Sequence, residues 1–483
     1  MSHKNKRVVL KRMSKLIKFI LPIFLLIFYF ALISEANAVP SFARQTGMDC
    51  AACHTSFPEL TPFGREFKLN GYTLGEAKMT PFAIMVQASY NNIAKDHYQN
   101  SNGPLGANND KAMLRQNDIT LDQVSLFAAG KVNDHLGAFI QFTQSNANTS
   151  AGNDKVEGHS NLDNTDIRLI NNYQISGKNL LVGFNLNNNP TVQDVWNSST
   201  AWGFPFQSTG LDTPASFAIP GTIIDGGLAQ TSAGLGGYFW YDRHLYGELS
   251  FYRPANHAFS LLSAGTAFGD GNKLSGNNNP YWRLAWNEER GPHSFMIGTF
   301  GMRADVFPSI ADLNTDPNGR ATDRYTDTAI DAQYQYISDP SIITLQSSFI
   351  HEKQQYGAYT ASSTTNSTNT LNSFKAKVSY LYDRKYGATL GYFKTFGSED
   401  SNLYPYAGDL VGGSNTNSGF IASNKPSYEW YVAEVDYNPR TNVRLSMQYT
   451  GYLKWAGFTS NYDGYGRNPS DNNLLSLNLW FAY

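Results

Sequence analysis

Over most of the chain, apolar residues alternate with polar ones at a period of two, in one segment after another. Phe374, Ala376 and Val378, for example, alternate with Lys375 and Lys377. Side chains spaced in this way point to opposite faces of a β-strand. Each such segment therefore predicts a strand with one face toward an apolar medium and the other face carrying charges and amides.

The connections between these segments come in two sizes. Seven are tight turns, near residues 133–134, 176–179, 242–243, 288–291, 338–340, 383–384 and 438–440. The others are long and rich in Asn, Ser, Gly and Thr, as in residues 145–163 and 398–426. Seven hairpins, with one more strand at each end (82–90 and 473–483), make about 16 strands. Short turns on one side, long loops on the other and an even strand count are typical of outer-membrane barrels. We therefore predict an all-β fold, an outer-membrane antiparallel β-barrel of about 16 strands over residues 81–483.

The end of the chain supports the same fold. Its last residues alternate up to an aromatic C-terminus, as is common in bacterial outer-membrane proteins; the apolar ones are Leu475, Leu477, Leu479, Phe481 and Tyr483. Aromatic residues make up 14% of the chain, which suits the aromatic girdles at the two lipid interfaces. The alternative is a large soluble β-sandwich or propeller, which also has many short strands, although a soluble sheet seldom has such unequal connections.

Residues 1–38 have the three parts of a secretory signal peptide. Seven basic residues lie before position 19, an apolar run of 15 residues extends from Phe19 to Ile33, and Ala36-Asn37-Ala38 is a small-x-small cleavage sequence. The apolar run is short for a membrane span, so we predict cleavage after Ala38 rather than a retained anchor. The remaining chain has 30 basic and 38 acidic residues, and this net charge of about −8 argues against nucleic acid as a partner.

Both cysteines of the chain lie in one pentapeptide, Cys50-Ala51-Ala52-Cys53-His54. Two thiols at this spacing can add to the two vinyl groups of a haem, and the adjacent imidazole then reaches the iron. The alternative is a disulfide or redox pair beside an incidental histidine. Since no further cysteine exists for a disulfide framework or a zinc site, we predict one covalent haem c on Cys50 and Cys53, with His54 as the proximal iron ligand.

Residues 39–80, between the signal peptide and the first strand, are too few for a typical free-standing cytochrome. We therefore expect a small monohaem cytochrome c segment that its haem helps to staple. Thr61-Pro62 is a helix start and Asn70-Gly71 a helix end, so a helix is predicted over Pro62–Leu69. Its apolar face, with Phe63 and Phe67, would lie against the porphyrin. Its basic residues, Arg65 and Lys68, could reach the propionates or could instead be solvated.

Three stretches around the pentapeptide carry a family resemblance: PSFARQTGM at 40–48, PELTPFGR at 58–65 and FKLNGY at 67–72. Over about 35 residues the chain resembles the fused monohaem cytochrome–porins of iron-oxidising bacteria. The resemblance implies an outer-membrane cytochrome that oxidises extracellular Fe(II) and passes electrons to a periplasmic carrier such as a soluble cytochrome c or cupredoxin. That activity would be an oxidoreductase of the ferrous iron:cytochrome c reductase type.

Two other functions remain open at this point. The protein could exchange electrons with a different extracellular donor or acceptor, or it could be a transport porin in which the haem is structural. A barrel of this size leaves a channel roughly wide enough for a haem-bearing segment, so we expect that segment to plug the lumen. The inward faces would be polar, with Lys375, Lys377, Glu434, Asp436 and Arg444 among their residues.

The height of the barrel bears on electron transfer. The apolar band of such a barrel is about 25 Å tall. If the haem were at the periplasmic mouth, an electron would have to cross most of that height in a single transfer, which would be slow. We therefore expect the haem to lie deep in the lumen, or other residues to assist. The sixth iron ligand is open: Met79 is the first candidate, Met85 and His97 follow, Met48 is close to the attachment site, and a water-bound site is an alternative.

Three further features are predicted from the loops. Asp312, Asn314, Asp316 and Asn318 alternate as calcium ligands would, but Gly319 is misplaced for an EF-hand and an ordinary Asx-turn loop is favoured. The longest loop, about 189–227, carries aromatic residues and would either enter the lumen or cap the outer mouth; they are Trp196, Trp202, Phe204 and Phe206. Acidic loop residues would attract a cation, namely Asp154, Glu157, Asp163, Glu399 and Asp400.

Overall fold

The computed structural model describes residues 40–483 except 78–80, 96–118, 149–155, 208–218, 256–259, 264–273, 277, 308–321, 358–363, 405–422 and 463–465. Sixteen antiparallel strands follow one another around a closed barrel, and β1 pairs with β16 to close it. The strands are β1 (Phe82–Ile93), β2 (Ile119–Lys131), β3 (Leu136–Asn148), β4 (Val156–Ile175), β5 (Lys178–Asn187), β6 (Ser232–Tyr241), β7 (Leu245–Pro254), β8 (Asn279–Arg290), β9 (His293–Val306), β10 (Asp323–Ser338), β11 (Ser341–Gln355), β12 (Thr368–Tyr382), β13 (Tyr386–Gly397), β14 (Tyr428–Arg440), β15 (Val443–Lys454) and β16 (Leu474–Ala482). Among the described residues before β1, there are three α-helices: α1 (Pro40–Thr46), α2 (Cys50–Cys53) and α3 (Pro62–Leu69).

The period of two separates the exterior of the barrel from its lumen. On β12, Val378 and Tyr380 are exposed on the outside, whereas Lys377 and Ser379 are buried on the inside. A closed antiparallel barrel pairs every strand edge, and an apolar exterior suits it to lipid. The chain is therefore an outer-membrane β-barrel, and the predicted antiparallel barrel of about 16 strands is confirmed.

Short turns join the strands at one end of the barrel and long loops join them at the other. The turns lie where the sequence predicts them, except that β8 and β14 extend to Arg290 and Arg440, so their turns are at 291–292 and 441–442. The sequence Tyr-Asp-Arg occurs at 241–243 and again at 382–384, in the β6–β7 and β12–β13 turns. In both turns the Asp and the Arg adopt left-handed backbone conformations. Backbone of that kind matches the twist of a hairpin. In such barrels the short-turn end faces the periplasm.

The N-terminal segment, residues 40–77, lies inside the barrel. Tyr72 donates from its hydroxyl to Asp166 on β4 at 2.7 Å, and Tyr238 on β6 donates to the carbonyl of Leu69 at 2.7 Å. Glu59 forms an ion pair with Lys377 on β12. Contacts to such widely separated strands place the segment across the lumen as a plug.

The long loop between β5 and β6 also enters the lumen with its described residues, 188–207 and 219–231, which we call the inward loop. Trp196 is only 1% exposed, and its carbonyl accepts hydrogen bonds from Gln333 on β10 and Gln346 on β11, both at 2.7 Å. Its indole N–H donates to Asn287 on β8 at 3.3 Å. The sequence predicts this loop either in the lumen or over the outer mouth, and the structure places it in the lumen.

Inward-facing charges of the wall hold these two internal segments. Lys375 forms an ion pair with Asp225 of the inward loop at 2.6 Å, and Lys377 forms one with Glu59 of the N-terminal segment. Within the wall itself, Arg444 pairs with Glu434 at 2.6 Å. The predicted inward positions of Lys375, Lys377, Glu434, Asp436 and Arg444 are thus confirmed. No helix among the described residues is both long and apolar enough to cross a membrane.

Candidate haem site

A partly open cavity lies between the N-terminal segment and the barrel wall, and its empty space, counted together with the solvent at its mouth, is about 1060 Å³. The wall here is apolar, unlike the polar inward positions Gln87, Ser89 and Asn91 farther along β1. The strands contribute Met85, Phe127, Ala129, Phe139, Trp480 and Ala482 to the lining.

The cavity is at the short-turn end of the barrel. Met85 lies near the start of β1, Ala129 near the end of β2, and Ala482 is the last residue of β16. Arg384, in the short β12–β13 turn, donates to the carbonyl of Ala51 at 3.1 Å. The pentapeptide is therefore close to the periplasmic mouth rather than deep in the lumen.

The pentapeptide forms one helical turn, α2, that brings three of its side chains to the cavity. Cys50, Cys53 and His54 all line it, and both cysteines are half-buried. The Nδ1 atom of His54 is 3.3 Å from the carbonyl of Pro58 and 3.2 Å from that of Glu59. A donor role for Nδ1 leaves Nε2 as the atom that can bind a metal, and such second hydrogen bonds orient histidine ligands.

Burial sets the protonation of these groups. Loss of solvation lowers the pKa of His54 to about 4, although the two carbonyls oppose the shift, so the imidazole is neutral at neutral pH. Burial, followed by the charge of Cys50, raises the pKa of Cys53 to about 11. The Cys53 thiol is therefore neutral at neutral pH.

Helix α3 holds α2 in place, and its predicted bounds, Pro62–Leu69, are confirmed. Thr61 caps it, since its hydroxyl accepts from the Gly64 N–H at 3.1 Å and donates to the carbonyl of Ala52 at 2.5 Å. A Cβ atom at Gly64 would lie 2.1 Å from the carbonyl oxygen of Cys53, so only glycine allows the two helices to approach this closely. Phe67 lines the cavity as expected, whereas Phe63 is not among the lining residues.

Aromatic rings surround the histidine side of the cavity. The ring of Phe57 lies 4.8 Å from that of His54 and 4.7 Å from that of Trp480. Phe139 and Trp202 form an edge contact at 6.0 Å. Sequence reasoning missed Trp480, Phe127 and Phe139, yet a signal exists, because they are large apolar residues at inward positions of otherwise polar strand faces.

The two basic residues of α3 have different surroundings, and neither is solvated. Lys68 lines the cavity, and its ammonium group donates to the carbonyls of Val192 and Asp194 at 2.6 and 2.9 Å. Burial lowers the pKa of Lys68 to about 7. Arg65 instead donates to Gln335 at 2.6 Å and to Ser294 at 2.5 Å, outside the cavity lining.

Two of the described methionines, Met48 and Met85, line the same cavity as His54. Met85 is 5% exposed and points inward from β1, so it is both a wall residue and a cavity residue. Met48 lines the cavity as well but is 44% exposed. Met79 and His97 lie outside the described residues, so their roles stay predictions.

The other sites expected from the loops have different outcomes. The alternating Asp and Asn residues at 312–318, as well as Asp154, lie outside the described residues. Asp400 accepts hydrogen bonds from the backbone of Thr365 and Asn366 and so organises its loop, and Glu399 pairs with Lys425 at 3.3 Å. In the part of the chain that the structure describes, no group of three or more His, Cys, Asp or Glu side chains is arranged to hold a metal ion.

Solved outer-membrane proteins and porins are similar to this chain in structure. No protein-family model matches the chain, and no curated protein matches it. Among solved structures, the chain is similar to OmpT of Vibrio cholerae (11% identity, TM-score 0.41, 84% of this chain and 99% of that one). It is also similar to Salmonella typhi OmpF (12%, 0.42, 83% and 97%) and to an anion-selective porin from Comamonas acidovorans (10%, 0.42, 83% and 98%).

Proposed function

We propose that this chain is an outer-membrane cytochrome that takes electrons from extracellular Fe(II) and delivers them to a periplasmic carrier through one haem c. The observation that supports this most is the apolar cavity at the pentapeptide. A lumen that only conducts hydrated solutes has no need of a large apolar recess beside two thiols and a neutral imidazole. An apolar macrocycle does need such a recess, because its faces must be removed from water.

The residues present fit such a group. Cys50 and Cys53 would hold it covalently, and His54 would bind the iron through Nε2 while the carbonyls of Pro58 and Glu59 orient its ring. Lys68 lines the same cavity, so its side chain could interact with a propionate group of the haem. Among the described methionines, Met85 is the best-placed sixth ligand because it is buried in the same cavity. When bound, haem supplies a one-electron iron couple.

The position of the cavity suits delivery to the periplasm. It lies at the short-turn end, so a soluble carrier could approach without entering the barrel. The outer donor is on the far side of an apolar band about 25 Å tall. Either Fe(II) enters the lumen or the electron crosses most of that height through protein.

Aromatic side chains supply a packed route for the second possibility. Trp202 lines the cavity, and Phe204, two residues later, packs 6.4 Å from Phe393. Phe393 is stacked on Trp430 at 5.2 Å. Trp430 in turn packs against a cluster at the outer end of the barrel, composed of Tyr428, Trp455 and Tyr462. These contacts make the aromatic residues the candidates for the assisting role that the sequence led us to expect.

A transport porin with a structural haem is the alternative function, and the barrel architecture is compatible with it. The contents of the lumen argue against it. The N-terminal segment and the inward loop both lie in the lumen and hydrogen-bond to several strands of the wall. A plug held in this way favours a housing for a cofactor over an open channel.

The test is reduction of the oxidised, purified protein in detergent by Fe(II), followed by stopped-flow absorbance. We expect Fe(II) to reduce the haem, and the Cys50→Ala/Cys53→Ala double variant to lack covalent haem staining in outer-membrane fractions. If non-metal reductants reduce the haem but Fe(II) does not, iron is the wrong donor. If the double variant retains normal covalent haem, the attachment site is wrong.

A further inference from the structure

A row of polar side chains crosses three neighbouring strands on the outer surface of the barrel. Arg303 on β9 and Lys353 on β11 are both paired in register with Thr326 on β10, one on each side of it. Both cations are exposed while their neighbours along the strands are buried, so the two side chains point away from the lumen. Because adjacent strands are about 4.8 Å apart, the Cα atoms of the two cations are separated by about 10 Å.

The row lies at the level where the lipid head groups begin. Thr326 is ten residues before Tyr336, an outward-facing tyrosine near the short-turn end of β10. At about 3.4 Å per residue and a strand tilt of about 40°, ten residues span a height of about 26 Å. The apolar band of such a barrel is about 25 Å tall and has aromatic residues at its two edges. Tyr336 therefore marks the periplasmic edge of the band, and the row marks its outer edge.

Between these two levels, the same three strands present an apolar surface to the lipid. Ile297 on β9, Ile330 on β10 and Leu345 on β11 are all exposed on the outside of the barrel. Basic side chains at the end of an apolar surface suit an amphiphile whose acyl chains lie in the membrane and whose head group is anionic.

The two cations of the row have no counter-charge among the described residues. Other exposed cations of the barrel do have one. Arg324, farther out on β10, pairs with Asp305 at 2.7 Å. At the opposite end of the barrel, Lys178 pairs with Asp242 at 2.6 Å. Within the described ranges, the row thus carries two positive charges that a ligand can compensate.

We propose that Arg303, Thr326 and Lys353 bind a phosphate group of lipopolysaccharide, the lipid of the outer leaflet. Its membrane anchor, lipid A, carries phosphate groups on a sugar head group and several acyl chains. Arginine and lysine bind phosphate through charge-assisted hydrogen bonds, and the threonine hydroxyl between them can donate another. The acyl chains then lie along the apolar surface that contains Ile297 and Ile330. The site is independent of the haem and of the donor of its electrons.

Lipid A itself is the probe of this site. Purified full-length protein in detergent is freed of co-purifying lipid and titrated with lipid A, and bound lipid is measured by native mass spectrometry. We expect about one tightly bound lipid A per chain, and at least a tenfold weaker affinity in the Arg303→Gln/Lys353→Gln double variant. Lys178→Gln/Arg290→Gln is the matched control, because it removes two exposed positive charges at the short-turn end; its lipid A binding should be unchanged.

Two other ligands identify the group that is recognised. We expect lipid A without its phosphate groups to bind at least tenfold more weakly than intact lipid A. We also expect phosphatidylglycerol and inorganic phosphate to bind more weakly, because neither combines the sugar phosphates with several acyl chains. Equal binding of phosphatidylglycerol would make the row a general site for anionic lipids, and equal binding of inorganic phosphate would make it a general anion site; either result contradicts the assignment to lipid A.

Folding is monitored in each variant by heat-modifiable migration on gels. The assignment is overturned if the Arg303→Gln/Lys353→Gln variant folds and binds lipid A as the parent protein does. It is also overturned if the parent protein binds intact and dephosphorylated lipid A equally well. That second comparison needs no variant, so misfolding of a variant does not leave the question open.

Discussion

Gly64 is the residue on which the geometry of the N-terminal segment depends most directly. The backbone of α3 passes so close to Cys53 that a methyl group would overlap its carbonyl oxygen. The same carbonyl accepts the Thr61 N–H at 2.9 Å, and this bond ties α2 to the start of α3. Any displacement here moves both Cys53 and the neighbouring His54.

We predict that Gly64→Ala reduces covalent haem incorporation several-fold. Overpacking of this kind typically costs about 1–3 kcal/mol, and the contact atom is backbone, which cannot rotate away. The measurement is the ratio of haem absorbance to protein in purified barrels. Gly276→Ala is the control, because a Cβ there would meet nothing within 4 Å. Normal incorporation in Gly64→Ala would mean that the two helices are not packed as described.

A second prediction at this scale concerns the sixth ligand. Met85 is buried in the cavity, whereas Met48 is exposed at 44%. We expect Met85→Ala to remove the weak far-red absorption band that methionine-ligated ferric haem shows, and Met48→Ala to retain it. Met79→Ala belongs to the same series, because Met79 was the first candidate from the sequence. Loss of the band in Met79→Ala alone would assign the ligand to that residue instead.

Among the elements, the inward loop fills part of the lumen, and its sequence predicts only part of this structure. Its aromatic residues predict burial, but not the strands they meet. Trp196 contacts residues 91, 137 and 150 positions away along the chain. Such contacts depend on barrel closure, and no local pattern encodes them.

Strands and the α3 helix, in contrast, were predictable because their signals are local. Alternation at a period of two and the Thr61-Pro62 start each involve neighbouring residues. The pair of Glu59 and Lys377 joins positions 318 residues apart, so it could not be predicted. The inward position of Trp480 could have been, since the outward series Leu475, Leu477 and Leu479 leaves the even-numbered positions facing the lumen.

We predict that Trp196→Ala increases the ion conductance of the barrel in planar bilayers. Truncation of a buried tryptophan typically costs about 3–5 kcal/mol, and here it removes the packing that holds the inward loop across the lumen. Trp286→Ala is the control, because Trp286 is 48% exposed on the outer surface. Large channels in the unmodified protein would show that the plug does not seal the lumen.

At the scale of the whole molecule, the cavity lies toward one end of the lumen. The pentapeptide is at the short-turn end, close to the periplasmic mouth. The sequence led us to expect either a haem deep in the lumen or assisting residues. The site near the periplasmic mouth makes the aromatic series from Trp202 to Trp455 the element on which long-range transfer would depend.

This arrangement predicts that Fe(II) is oxidised on the outer side and that the ferric product does not cross the membrane. Cells that express the protein should reduce its haem with Fe(II) held in a chelate too large for the lumen, because the electron, not the ion, traverses the plug. The measurement is the haem spectrum of intact cells after addition of chelated or free Fe(II). A matched strain with Trp430→Leu should respond more slowly to the chelate while a membrane-permeant reductant acts at the normal rate, since Trp430 joins the inner and outer aromatic clusters. If only small, freely diffusing iron reduces the haem, the ion itself must reach the periplasmic side, and the conduit through the protein is excluded.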